Sequence, residues 1–380
     1  MIELSENAFP KTWEAMREAV AKGVTPGIVA GLWRLNEPDV FRACAVGNRS
    51  LVPHVLPMEV DTVFDLASVT KVFATAALAT LLVDRRWIRW DTPVQSILPA
   101  FKYPEIELRH LLTHTAGFPA WKPFWEELCA QFAPAAIQDI AVSVRQAEMR
   151  KRVFSAEPEA APGERTLYSD ISFQLLGFIL EEVTGFDFDE AVNRYVWKPM
   201  KIEGAFFRRV TRMSASQTLK KAAATENSGW RGAILQGLVH DENCWAMGGY
   251  SGHAGAFGRV EDLLRFARAW FSGFVSRRTL GEAWSREASG LKTERTLGWE
   301  TPSRDGTASA SELFSPLSVG HLGFTGTSIW IDPVAELAVV LLTNRVHPTR
   351  ENIAIRAFRP IFHRSIRQDL MQQEITKRNI

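Results

Sequence analysis

Apolar positions recur along this chain at two spacings, and the segments sort accordingly. Residues 12–21 place them at helical intervals. Residues 27–35 and 40–46 are β-rich runs parted by Asn36, Pro38 and Asp39, which predicts a hairpin. The spacing over 68–84 predicts a long apolar helix, and 108–112, 171–183 and 260–270 also read as helices, the last two ending near a glycine. Residues 326–331 and 337–342 read as strands joined by a turn at Asp332 and Pro333. A helix starting near Glu351 should break at Pro360 and then resume.

Strands at both ends around a helix-rich middle predict an α/β fold. The hairpins imply an antiparallel sheet flanked by terminal helices, because parallel neighbours need crossover connections. The expected division is a sheet domain from 1–63 and 256–380, with a mostly helical domain, 64–255, inserted into it. The active site would then lie in the cleft between them. A chain of 380 residues, 46% hydrophobic and 23% charged, can bury a large core. Forty-four Lys and Arg against 43 Asp and Glu leave a net charge of +1, which argues against a nucleic-acid partner. Cys44, Cys129 and Cys244 form no disulfide framework. The N-terminus has early acidic residues and no apolar run, so no signal peptide is read and a cytoplasmic location is expected, or a periplasmic one for a mature form. The longest apolar run, 72–83, has 12 residues and predicts no membrane span.

The sharpest local chemistry is Ser68-Val69-Thr70-Lys71. On a helix, Lys71 falls about one turn after Ser68 on the same face, where a neutral amine can take the serine proton. The plain alternative is that Ser68 only caps the helix. Ser289 to Lys292 repeats the spacing, but an internal glycine and the polar residues behind it read as a loop. Tyr168-Ser169-Asp170 precedes a second helix, and there a phenol and a carboxylate could face one cleft; the alternative is an N-cap at Ser169 or Asp170. Gly320-His321-Leu322-Gly323-Phe324-Thr325-Gly326 is a glycine-rich strand edge able to approach another backbone or a ligand.

In this order the three stretches, with residues 111–117 and 247–255, resemble the serine β-lactamase and penicillin-binding-protein superfamily. The likeness is to its class C β-lactamase, DD-peptidase and family VIII esterase branch, over residues 26–342. It implies Ser68 as acylated nucleophile, Lys71 as its base and Tyr168 as proton shuttle. It implies Asp170 at a position often held by Asn, His321-Leu322-Gly323 in place of Lys-Thr-Gly, and an oxyanion hole from the N–H groups of Ser68 and Phe324. His321 and Leu322 weaken the usual grip on a substrate carboxylate, which speaks against efficient penicillin hydrolysis and leaves esters or amides lacking that carboxylate as reasonable substrates. Arg345 or Arg350 offers an alternative anchor.

Other signals carry less. Residues 239–243 (Val-His-Asp-Glu-Asn) have metal-ligand types without metal-site spacing, so no metal is expected and a loop beside the cleft is. Residues 248–258 lack the Lys-Ser/Thr of a phosphate loop, while His253 either lines the pocket or is structural. Arg150-Lys151-Arg152 reads as a solvated face. Of 13 tryptophans, Trp121, Trp125, Trp230 and Trp245 are expected as core packing, or else as a ligand-binding surface. The expected function is a cofactor-free serine hydrolase acting on a small ester, amide or peptidoglycan-derived peptide, as a carboxylesterase or D-amino-acid peptidase. The rival is a catalytically silent protein of the same fold that binds such a ligand.

Overall fold

The computed structural model describes residues 1–286, 290–303 and 309–378, so Ser289 of the second Ser-x-x-Lys stretch lies outside the described residues. In chain order the strands are β1 (Ile2–Glu3), β2 (Gly27–Arg34), β3 (Phe41–Ser50), β4 (Leu56–Pro57), β5 (Phe64–Asp65), β6 (Phe206–Phe207), β7 (Ala224–Ser228), β8 (Ala233–Gln236), β9 (Ala256–Gly258), β10 (Val319–Leu322), β11 (Ser328–Asp332) and β12 (Leu337–Thr343). A seven-stranded sheet runs β1-β3-β2-β12-β11-β10, with β4 beside β3. All its pairs are antiparallel except the short edge pair of β1 with β3. The first and last parts of the chain thus build one sheet.

Both faces of this sheet are covered, which is why β2 and β12 are apolar at nearly every position. Val29, Trp33, Ile329, Ile331, Val340 and Leu342 point into a core shared with the central helices. Their neighbours Ile28, Ala30, Leu32, Trp330, Val339 and Leu341 pack on Met16, Phe358, Phe362 and Ile366 of the terminal helices. Those helices, Pro10–Ala21 and Ile355–Arg378, are tied by Asp369, which accepts from the Thr12 N–H at 2.9 Å and its hydroxyl at 2.7 Å. Gly31 has to be glycine, because a Cβ there would lie 2.3 Å from Val260 Cγ2 on the helix Val260–Phe271.

Three expectations change. The last helix continues through Pro360, which stands in its second turn and forfeits a backbone donor near the helix end rather than at its centre. The middle of the chain also contributes a hairpin, β7–β8, with Trp230 in its turn. The apolar run is longer than read: the helical stretch Ala67–Asp84 has 18 residues, enough by length and composition to cross a membrane. However, 83% of that stretch is buried inside the fold, where it is a core helix.

Candidate active site

Short β5 ends at Asp65, whose buried carboxylate organises the turn that follows. Oδ1 accepts from the Ala67 N–H at 2.9 Å and Oδ2 from the His240 N–H at 2.6 Å. Ala67 is left at φ +47°, a region costly for a residue with a Cβ and often found beside functional groups. Ser68 therefore sits in a tight 3-10 turn, Ala67–Val69. A widened π-helical segment, Lys71–Ala76, follows before the regular helix Ala77–Asp84. The single helix read from sequence is thus three geometries in series, and such wide turns are frequent at functional sites.

Lys71 is fully buried. Its ammonium lies 3.0 Å from Ser68 Oγ, 3.0 Å from the His253 carbonyl oxygen and 2.7 Å from Asp170 Oδ1. Its Nζ also stands 5.0 Å from the centre of the Tyr168 ring. Burial opposes the charge, but the Asp170 carboxylate and the Tyr168 oxygen outweigh it and hold Lys71 above the ordinary lysine value. Burial also raises Tyr168 above an ordinary phenol, although hydrogen bonding to Lys71 and Ser68 pulls the other way. The resting site is thus an ammonium, a protonated phenol and a serine hydroxyl in mutual contact.

The segment that delivers Tyr168 is pinned from below. Ser169 caps the helix Asp170–Thr184, its Oγ accepting from the Ser172 N–H at 3.4 Å. Asp170 follows in the first turn, where the helix end favours a carboxylate. His114, at φ +58°, accepts from the Ser169 N–H through Nδ1 at 3.0 Å and from the Leu167 N–H through its carbonyl at 2.9 Å. Its ring lies 4.4 Å from that of Tyr168. The hairpin turn after β10 closes the opposite side. Thr325 Oγ1 donates to the Asp65 carbonyl at 2.8 Å and Thr327 Oγ1 to that of Leu66 at 3.0 Å. A Cβ on Gly323 would stand 2.0 Å from Thr327 Oγ1 and 2.6 Å from the Leu66 carbonyl oxygen, so only glycine permits this approach.

The structure thus brings Ser68, Lys71, Tyr168, Asp170, Gly323 and Phe324 together. His321 lies beneath them with its ring 6.1 Å from that of Tyr168; it is buried, and burial pushes its imidazole down to about 4. It therefore supplies no positive charge at neutral pH. His253 meets Lys71 only through its carbonyl, its ring being held by Ser251 Oγ at 2.8 Å and Asp241 Oδ1 at 2.9 Å. Within residues 239–243, Asp241 caps the helix Glu242–Met247 and His240 contacts Glu226 at 3.1 Å. Among the described residues no cluster of three His, Cys, Asp or Glu could hold a metal ion.

Two cavities meet at Ser68, Tyr168 and Phe324. One, of about 370 Å³, is walled by Trp121, Phe324 and Ala254 with Asp170, Asp241 and Glu242. The other, of about 300 Å³, holds Arg295, Arg345, Arg356 and Arg359 against one carboxylate, Glu300. Arg345 is spent on the carbonyls of Phe324 (2.7 Å), Arg350 (2.9 Å) and Asn352 (2.8 Å). Arg350 lies on the acidic side, paired with Glu226 and Glu242. Neither is therefore a free anchor. Sequence reading missed Arg356 and Arg359, on the C-terminal helix. Burial, with neighbouring arginines, pushes both Arg345 and Arg359 down to about 10.

A family model described as Beta-lactamase matches residues 14–359. A curated protein named "Putative D-alanyl-D-alanine carboxypeptidase" from Salmonella typhi is 29% identical over 330 residues, covering 78% of this chain and 73% of that protein. The solved structure of "EstCE1, a hydrolase with promiscuous acyltransferase activity" aligns with TM-score 0.68 at 20% identity, over 93% of this chain and 99% of its own. Simvastatin synthase (LovD) from Aspergillus terreus aligns with TM-score 0.71 at 18% identity, over 97% and 100%. At these identities the two structures establish the shared fold.

Proposed function

This chain belongs to the β-lactamase family, and we propose that within it the protein is a serine acyl hydrolase that forms its acyl-enzyme on Ser68 and cleaves peptide-like amides or esters. The observation that carries this is the contact of Lys71 Nζ with Ser68 Oγ at 3.0 Å, with the Tyr168 ring centre 5.0 Å from the same Nζ. Lys71 in its amine form takes the proton from Ser68 as Oγ attacks the carbonyl carbon. The negative charge on the carbonyl oxygen rests on the N–H groups of Ser68 and Phe324, a role supported by the Thr325 and Thr327 bonds that tie the β10–β11 turn to the backbone just before Ser68. Tyr168 passes a proton to the leaving nitrogen or oxygen as its bond to carbon breaks. Water then attacks the acyl-enzyme, releasing the acid and restoring Ser68.

A peptidase reading is favoured over a simple esterase by the arginine cavity. His321 and Leu322 give no charged grip where relatives have Lys-Thr-Gly, and the arginines beside Leu322 offer one for a leaving group bearing a carboxylate. The curated relative carries the description "Putative D-alanyl-D-alanine carboxypeptidase", a name for a reaction whose leaving group bears a carboxylate, and this supports the reading. The test is a fluorophosphonate label followed by peptide mapping, with a panel of p-nitrophenyl esters and D-configured dipeptides. Label on Ser68, lost in Ser68→Ala, is expected, together with hydrolysis. An intact label in Ser68→Ala would remove the nucleophile assignment, and a protein that takes no label and turns over nothing would be a silent binder.

A further inference from the structure

The two cavities that meet at Ser68 differ in sign. In the larger, Asp170, Asp241 and Glu242 face Arg350, and Arg350 already bridges Glu242 to a further carboxylate, Glu226. Lys71 beneath and Arg231 behind add positive charge, but both are buried and neither lines the space. Trp121 is 43% exposed at this mouth, whereas Phe324, 49% exposed, already carries the Arg345 guanidinium 4.2 Å from its ring centre and the His240 ring at 5.6 Å. The exposed Trp121 indole beside carboxylates suits a cation, through the ring quadrupole and direct ion pairing together.

The smaller cavity is the inverse. Arg295 pairs with Glu300 at 3.1 Å and lies over the Tyr168 ring at 5.2 Å. Arg359 is 7% exposed; one terminal nitrogen donates to the Gly323 carbonyl at 2.6 Å, and its Nε is buried with no hydrogen-bond partner. Arg356, on the same helix and facing the same space, has no carboxylate partner among the described residues. Arg356 is exposed at the rim and Arg359 is buried with Glu300 as its nearby carboxylate, already paired with Arg295, so an anion between Arg356 and Arg359 would meet a surplus of positive charge.

We propose that the site selects a charge-polarised substrate, an unblocked dipeptide-like acyl donor with its protonated amine in the acidic aromatic cavity and its carboxylate in the arginine cavity. This deepens the hydrolase reading above and rests on Ser68 as the acylated group. The carbonyl under attack sits where the cavities meet, so the amine lies on the acyl side and the carboxylate on the leaving side. Cavities of about 370 and 300 Å³ are near the small end of ligand sites, which run from roughly 300 to 1,000 Å³, so each takes a group of one residue's size. The exposed rings favour an apolar side chain on the amine-bearing residue. Asp170 contributes as well: a carboxylate accepts from an ammonium, whereas the asparagine common at this position in the resembling family can also donate to a neutral amide.

The experiment compares D-Phe-D-Ala with its N-acetyl and C-amide derivatives on the full chain, following release of the second residue by mass spectrometry. Blocking either end should lower kcat/KM by about tenfold or more, the scale of a lost charge-assisted hydrogen bond. In Arg356→Gln the ratio of free acid to amide should collapse toward one, and in Glu242→Gln the ratio of free to acetylated amine should do the same. Both substitutions are read as ratios within one variant, so a change in folded fraction cancels. Blocked compounds cleaved as fast as the free dipeptide, or no dipeptide cleavage by an enzyme that still takes the fluorophosphonate on Ser68, would overturn the proposal while leaving the hydrolase. Loss of that label altogether would remove the reading beneath it.

Discussion

Gly323→Ala perturbs the site without touching any group that performs chemistry. The added methyl would start 2.0 Å from Thr327 Oγ1 and 2.6 Å from the Leu66 carbonyl oxygen, and Cβ atoms essentially never approach within 3.0 Å. The β10–β11 turn must therefore retreat from the Leu66–Ser68 backbone by roughly 1 Å, carrying Phe324 N–H with it. A displacement of about 1 Å in a positioning element costs on the order of 100-fold in rate. We expect kcat/KM for a p-nitrophenyl ester, and the rate of fluorophosphonate labelling, to fall by about 100-fold in parallel, since both need the same oxyanion contacts. Thr327→Ala in the same chain removes the first clash but leaves the second, which is with backbone, so the double variant should recover only part of the loss. A Gly323→Ala enzyme with a native melting temperature and near-wild-type labelling would refute the placement of Phe324 N–H in the reaction.

Asp170→Asn removes the carboxylate that holds Lys71 above its usual range, so the acid limb of the pH–kcat/KM profile should move to lower pH; a limb that stays or rises would mean that Lys71 is not the titrating base. Glu226 is held down to about 2 by His240 and Arg350 in spite of burial. A depressed carboxylate stabilises the fold above its unfolded value of 4.5 and loses that contribution as pH falls through about 2, a span worth roughly 3 kcal/mol. Glu226→Gln should therefore lower the melting temperature at pH 7 and flatten its decline in that acid window, which scanning calorimetry would show; an unchanged decline would put the acid sensitivity elsewhere. Gly252→Ala would drive a Cβ to 2.1 Å from the Phe173 carbonyl oxygen, and thermal melts should show destabilisation by about 1–3 kcal/mol.

What could be read in advance was what depends on short spacing. Lys71 follows Ser68 by one turn, and Asp170 follows Tyr168 across a capped helix start, so local geometry nearly dictates their meeting. The β2–β3 and β11–β12 hairpins were legible for the same reason, the Asp332 carboxylate accepting from the N–H groups of Val334 and Ala335 at 3.0 Å each. The arginine cavity was not, because Arg295, Arg345 and Arg359 come from three separate elements and meet only once the terminal helix docks. His253 was singled out for its imidazole, whereas its contribution to Lys71 is a backbone oxygen, to which residue type gives no clue. Strand β10 was legible only as a glycine-rich edge, because Gly320 weakens its strand signal, while Gly323 just after it lets the turn reach Leu66. The basic run at 150–152 was only half solvated: Lys151 is out, while Arg150 packs on the Phe178 ring at 5.0 Å.

A sheet drawn from both ends of the chain also sets when reactivity can appear. Ser68 stands in the first fifth of the given sequence, whereas the turn that completes its surroundings lies more than four-fifths of the way along it. A chain cut between Ser68 and that turn keeps the hydroxyl without the Thr325 and Thr327 contacts that close its surroundings.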